Sequence, residues 1–177
     1  MAARHASPLT LRELVLFSLL GCFMYLSKVL MEFLPNVHLL AALTTAYTVC
    51  YRKKALYPIY IYVFLNGLFA GFSLWWLPYL YLWTLLWGAV MLLPRNMKKT
   101  VAIPVYMTVC ALHGFLFGTL YAPAQALMFG LNFQQMVAWI AAGLPYDLIH
   151  GVSNFFAGIL VLPIVEVLKR ADRIRPQ

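Results

Sequence analysis

Apolar residues in this chain run in long blocks, each closed by a short cluster of proline, asparagine or basic residues. Six blocks separate at these breakers. They cover residues 12–33, ended by Leu34-Pro35-Asn36, then 37–51, ended by Arg52-Lys53-Lys54, then 55–76 and 78–93, the latter closing at Pro94-Arg95. The last two cover 100–121 and 146–168, the final one running into Lys169-Arg170. A helix that crosses the hydrocarbon of a bilayer needs about 20 apolar residues. The pattern predicts an all-α integral membrane protein, a bundle of six transmembrane helices forming one domain over residues 1–177. The second and fourth blocks are short for a span, and a helix beginning below the membrane surface would leave a depression on that side. The connection 122–145 is apolar but interrupted by Pro123, Gly130, Asn132, Gln134 and Gln135. Its later part, 133–142, predicts a short interfacial helix with Trp139 at headgroup level. A connection of this length with its own structure suits a lid or binding element.

Composition agrees with lipid as the solvent. Of 177 residues, 64% are hydrophobic and 10% charged, against about 25% charged in a soluble domain. The net charge of +8 does not indicate nucleic acid, because the basic residues sit in short clusters between apolar blocks and form no basic face. Their placement instead sets an orientation. Arg4 and Arg12 precede the first block, Arg52, Lys53 and Lys54 follow the second, and Arg95, Lys98 and Lys99 follow the fourth. Lys169, Arg170, Arg173 and Arg175 follow the sixth, so twelve of the thirteen basic residues share one side and only Lys28 lies near the other. The expectation is six spans with both termini cytoplasmic. Cys22, Cys50 and Cys110 lie inside apolar blocks without paired spacing, as small core residues do.

No P-loop, H-E-x-x-H or G-x-S-x-G pattern is present. The expected protein is not an enzyme, carries no cofactor or metal, and has no nucleotide site of its own. Polar residues inside a membrane are costly and point to function. They gather in the outer half: Lys28, Glu32, Asn36, His38, Gln125, Gln134, Asp147, His150 and Asn154. Asp147, His150, Gly151 and Asn154 follow at i, i+3, i+4 and i+7 and share one helix face. That face reads either as a ligand-binding stripe or as an N-terminal carboxylate with interhelical hydrogen bonds. Lys28 and Glu32 form an i, i+4 pair. His113 reads as an interhelical donor, and His38, His113 and His150 lie on separate segments. The aromatics Trp75, Trp76, Tyr79, Tyr81 and Trp83 suit an interfacial belt, or stacking on a flat ligand ring. Gly67-x-x-x-Gly71, Gly114-x-x-x-Gly118 and Ala42-x-x-x-Ala46 offer small-residue faces for close helix approach.

Several stretches carry a family resemblance across nearly the whole chain. They are Leu34-Pro35-Asn36-Val37-His38-Leu39-Leu40, Tyr51-Arg52-Lys53-Lys54-Ala55-Leu56, Gly71-Phe72-Ser73-Leu74-Trp75-Trp76-Leu77-Pro78-Tyr79, and Gly143-Leu144-Pro145-Tyr146-Asp147-Leu148-Ile149-His150 running into Asn154. With six helices and no nucleotide site, the chain resembles the substrate-specific (S) components of energy-coupling factor (ECF) transporters of the bacterial cell membrane. The resemblance implies capture of a vitamin or related micronutrient from outside, with cobalamin or riboflavin as first expectations. It also implies partners: a transmembrane coupling subunit and two ATP-binding subunits. Asn36, His38, Trp75, Trp76, Tyr79, Asp147, His150 and Asn154 are the expected substrate-binding residues. Family members dock the coupling subunit through an A-x-x-x-A motif on the first helix. The match here, Ala42 and Ala46, lies on the second block. Two other readings remain: an envelope scaffold of the rod-shape-determining MreD type, and an intramembrane hydrolase or transferase using Asp147 and His150, with Ser153 beside them.

Overall fold

The computed structural model describes residues 9–173, whose regular secondary structure is helix alone, with no strand among them. In chain order the helices are α1 (Leu11–Leu30), α2 (Leu40–Tyr51), α3 (Leu56–Ala70), α4 (Tyr79–Leu92), α5 (Lys99–Phe115), α6 (Phe117–Phe129), α7 (Phe133–Ala157) and α8 (Val161–Arg173). Short 3-10 turns at Arg52–Ala55, Leu74–Trp76 and Gly158–Leu160 join neighbours. Four stretches are long and apolar enough to cross a membrane: Leu11–Leu30, Leu74–Leu92, Lys99–Phe129 and Phe133–Asp172.

By length, then, the expected six spans reduce to four. The second block forms only the 12-residue α2, which rises about 18 Å at 1.5 Å per residue, against roughly 30 Å of hydrocarbon. The third forms the 15-residue α3, shorter than expected, because the chain turns at Gly71 with φ +92°. That left-handed geometry favours glycine, so Gly71 serves a turn and not a helix-packing face. The fourth block is longer than expected. Pro78 at the helix start fits its missing amide, and the turn Leu74–Trp76 extends α4 to a 19-residue stretch.

Position explains why α2 can be short. Every residue from Leu40 to Thr48 is buried, and α1, α4, α5, α7 and α8 all pack on it. A helix buried all round lies inside its bundle. Ala41, Ala42, Ala46, Thr44, Thr45 and Thr48 supply the small side chains that let five helices approach. Ala42 and Ala46 are both 0% exposed, so the face expected to dock a coupling subunit is used up inside the fold.

One end of the bundle gathers the basic residues. Arg12, in the first turn of α1, donates to the Ala171 carbonyl near the end of α8 at 3.2 Å. Lys54 pairs with Glu13 at 2.6 Å and Lys99 with Glu166 at 2.6 Å. Arg52 donates to the Met91 carbonyl at 2.7 Å. These contacts bring together the starts of α1 and α5, the α2–α3 turn and the ends of α4 and α8. Arg4 and Arg175 lie outside the described residues. At the opposite end, Tyr121 donates to the Trp75 carbonyl at 2.9 Å and stacks on Trp139 at 5.7 Å.

The segment after residue 121 departs most from the sequence reading. Helix continues to Phe129, and residues 133–142 are the first turns of the 25-residue α7, not a separate interfacial helix. Asn132 starts α7 with a capping box, accepting from the Gln135 amide at 2.9 Å while the Gln135 side chain accepts from the Asn132 amide. The helix then passes through Pro145, which was expected to start a new one. Proline costs one backbone hydrogen bond, and neighbouring helices make this tolerable in membrane helices. Pro104 and Pro123 sit inside α5 and α6 in the same way.

Candidate binding cavity

Helix α5 yields to α6 at Leu116. The interruption leaves the Gly118 amide, in the first turn of α6, aimed sideways at α7. Asp147 accepts from it with both carboxylate oxygens, at 3.0 and 3.1 Å. The expected pairing of this carboxylate with a helix N-terminus therefore occurs, but at the N-terminus of a neighbouring helix. Glycines permit the crossing. A Cβ on Gly118 would fall 2.5 Å from Asp147 Oδ2, and one on Gly114 would fall 2.8 Å from the Gly151 Cα. The pair Gly114-x-x-x-Gly118 thus packs α5 and α6 against the polar face of α7, and Asp147, His150, Gly151 and Asn154 all turn inward on that face.

Where α2 begins, at the end of the bundle away from the basic cluster, a cavity of about 320 Å³ opens. The connection 31–39 and Lys28 of α1 form its mouth, and Tyr62, Tyr79, Trp83, Phe117 and His150 its wall. The cavity thus lies at the start of the short, enclosed α2. Asn36 and His38 also line the cavity. Asn36 adopts φ +59°, a conformation asparagine tolerates better than most residues. Its carbonyl accepts from Ser153 Oγ at 2.9 Å, which ties the mouth to α7. The same hydroxyl reaches the His150 carbonyl at 3.0 Å.

The wall is a continuous set of rings. His38 meets His150 edge to face with centroids 4.7 Å apart, and Phe117 lies 5.0 Å from His150. Trp83 stands 5.8 Å from Tyr62, 6.3 Å from His38 and 5.4 Å from His113. Several polar atoms here are shut away without a partner: His38 Nδ1, His150 Nε2 and Trp83 Nε1 in the cavity wall, and both amide atoms of Asn154 on α7. Native interiors leave few such atoms, because each costs about 1–3 kcal/mol. In the 31–39 connection, outside the spanning helices, burial pushes the His38 imidazole down to about 4. It is neutral at pH 7, with one ring nitrogen a donor and the other an acceptor. Lys28 holds Glu32 at 2.9 Å and is the one lysine or arginine among the described residues that line the cavity.

Of the eight expected binding residues, the fold brings Asn36, His38, Tyr79 and His150 to the cavity. Asp147 is engaged by Gly118, and Asn154 is completely buried on the same α7 face. Trp75 packs on Tyr79 at 5.6 Å, and Trp76 donates to the Val63 carbonyl at 2.8 Å. Neither tryptophan lines the cavity. His113 interacts with the Leu82 carbonyl through Nε2 at 3.1 Å, in keeping with an interhelical donor. Trp83 as a wall residue was legible in its i, i+4 spacing from Tyr79. Tyr62 and Phe117 carried no such signal, since each stands among other aromatics in an unbroken apolar block. Among the described residues no group of three His, Cys, Asp or Glu side chains is placed to hold a metal ion. Compared with protein-family models, curated proteins and solved structures, the chain matches none of them.

Proposed function

We propose that this protein is the substrate-binding membrane subunit of an ECF-type importer, capturing a small vitamin or related micronutrient from outside the cell. The observation that carries this reading is the cavity: ring-walled, backed by unpartnered polar atoms, and opening at the end opposite the basic cluster. Basic residues favour the cytoplasmic side, so that cluster faces the cytoplasm and the cavity faces out. In this reading the enclosed α2 and the half-exposed α3 complete a six-span topology, and both termini are cytoplasmic. A separate coupling subunit and two ATP-binding subunits supply the energy, since the chain has no P-loop. Their docking surface is not Ala42 and Ala46, which are enclosed.

The size of the cavity bears on the cargo. A volume of about 320 Å³ lies at the small end of ligand pockets, which run about 300–1,000 Å³. It suits a small ring compound and moves the expectation away from a macrocycle such as cobalamin. An envelope scaffold has no need of such a cavity. Ser153 is already engaged with two carbonyls, which speaks against a nucleophilic role.

The deciding experiment is native mass spectrometry of the detergent-purified protein. A stoichiometric small molecule, lost from a folded His150→Ala variant, supports the reading. A protein that purifies empty and stays empty after incubation with a vitamin panel sinks it.

A further inference from the structure

We propose that the ligand is a flat heteroaromatic acid of at most about two fused rings, its ring plane held among His38, Trp83, Phe117 and His150 and its anionic group held by Lys28. This rests on the cavity being a binding site and adds the chemistry that the site selects.

Shape comes first. The wall rings meet at centroid distances of 4.7–6.3 Å and steep interplanar angles. They pack on one another edge-on and tilted, a surrounding that favours a further aromatic ring over an aliphatic group. An aliphatic ligand of equal volume gains burial there but no ring-to-ring contact.

The polar atoms set a second requirement. Trp83 Nε1 is a donor only, and the neutral His38 imidazole offers one donor and one acceptor. Buried groups of this kind cost stability wherever they stay unpaired. A heteroaromatic edge carrying ring nitrogens or a carbonyl offers both kinds of partner at once when the side chains turn toward it, whereas a plain hydrocarbon ring offers none.

Charge is the third. Lys28 has three N–H donors, and its only side-chain partner among the described residues is Glu32. Glu32 is exposed on the rim, and no carboxylate lies deeper among the lining residues. The deep cavity therefore favours neutral rings over cations, while the ammonium at the mouth favours an anionic substituent.

The test is tryptophan-fluorescence titration of the purified full chain, with native mass spectrometry as a second readout. The probes are nicotinate with nicotinamide, and pterin-6-carboxylate with pterin. Riboflavin, cyanocobalamin and glucose serve as contrasts. The expected result is that at least one carboxylate binds ten-fold or more tighter than its uncharged counterpart. Lys28→Met abolishes that preference, and Lys28→Arg restores it. Equal binding of acid and neutral forms, or indifference to Lys28→Met, overturns the inference. So does binding of riboflavin, cyanocobalamin or glucose alone at a site sensitive to His150→Ala, although the cavity then remains a binding site. Failure of every probe and of a wider vitamin panel, with the protein folded, removes the inference together with the functional reading beneath it.

Discussion

The Asp147 carboxylate on α7 closes over the backbone amide of Gly118 on α6 with both oxygens, at 3.0 and 3.1 Å. It secures the break at Leu116, and that break places Phe117 against His150 on the cavity wall. Asp147 itself does not line the cavity. Removing it should therefore act on stability and not directly on affinity. We expect Asp147→Ala to destabilise the folded protein by about 1–3 kcal/mol, the cost of stranding a buried amide. Asp147→Asn, which keeps one acceptor, should cost less. Thermal unfolding in detergent measures both, and an Asp147→Ala variant as stable as the wild type would show that Gly118 needs no partner.

The glycines separate in the same measurement. A Cβ at Gly114 meets the Gly151 backbone at 2.8 Å, where no flexible side chain is free to yield, while one at Gly88 meets nothing within 4 Å. Gly114→Ala should force α5 from α7 and cost about 1–3 kcal/mol. Gly88→Ala lies within α4 and should leave stability unchanged or raise it by up to about 1 kcal/mol. Equal effects at the two positions would contradict the described crossing.

Ligand retention should distinguish the cavity wall from the aromatic belt. His150→Ala and Trp83→Ala each remove a lining ring, and we expect each to weaken the co-purified ligand ten-fold or more, equivalent to about 1.4 kcal/mol. Trp75→Ala should have little effect, since that ring packs on Tyr79 outside the lining. Titration of each variant, with a folding check, decides the assignment. A loss confined to Trp75→Ala would move the site to the belt.

Orientation is open to chemical labelling. Gln134 and Asn96 are both exposed and lie in or beside connections at opposite ends of the bundle. With Cys22, the one exposed free thiol, replaced by alanine, Gln134→Cys should react with a membrane-impermeant maleimide on intact cells. Asn96→Cys should react only after permeabilisation. The reverse pattern would turn the cavity toward the cytoplasm.

How much of this was legible in the residues alone varies along the chain. The inward face of α7 was readable, because Asp147, His150, Gly151 and Asn154 keep helical spacing whatever lies around them. The role of Asp147 was not, since its partner Gly118 is 29 positions away and becomes available only where α5 breaks. Pro145 misled for a related reason. Locally proline ends helices, but here the surrounding helices make the lost hydrogen bond tolerable.

The sequence by itself determined the helical class, the presence of apolar stretches long enough to cross a membrane, and the separation of basic residues from the other polar groups. These follow from local composition and periodicity, which act within one segment. Tertiary structure decided what depends on which segments meet. It enclosed α2 and used up Ala42 and Ala46, joined residues 133–142 to α7, and chose four of the eight expected residues to line a cavity at the start of α2. Block lengths and helical spacing carry no term for distance between segments, and packing at close range is what supplied it.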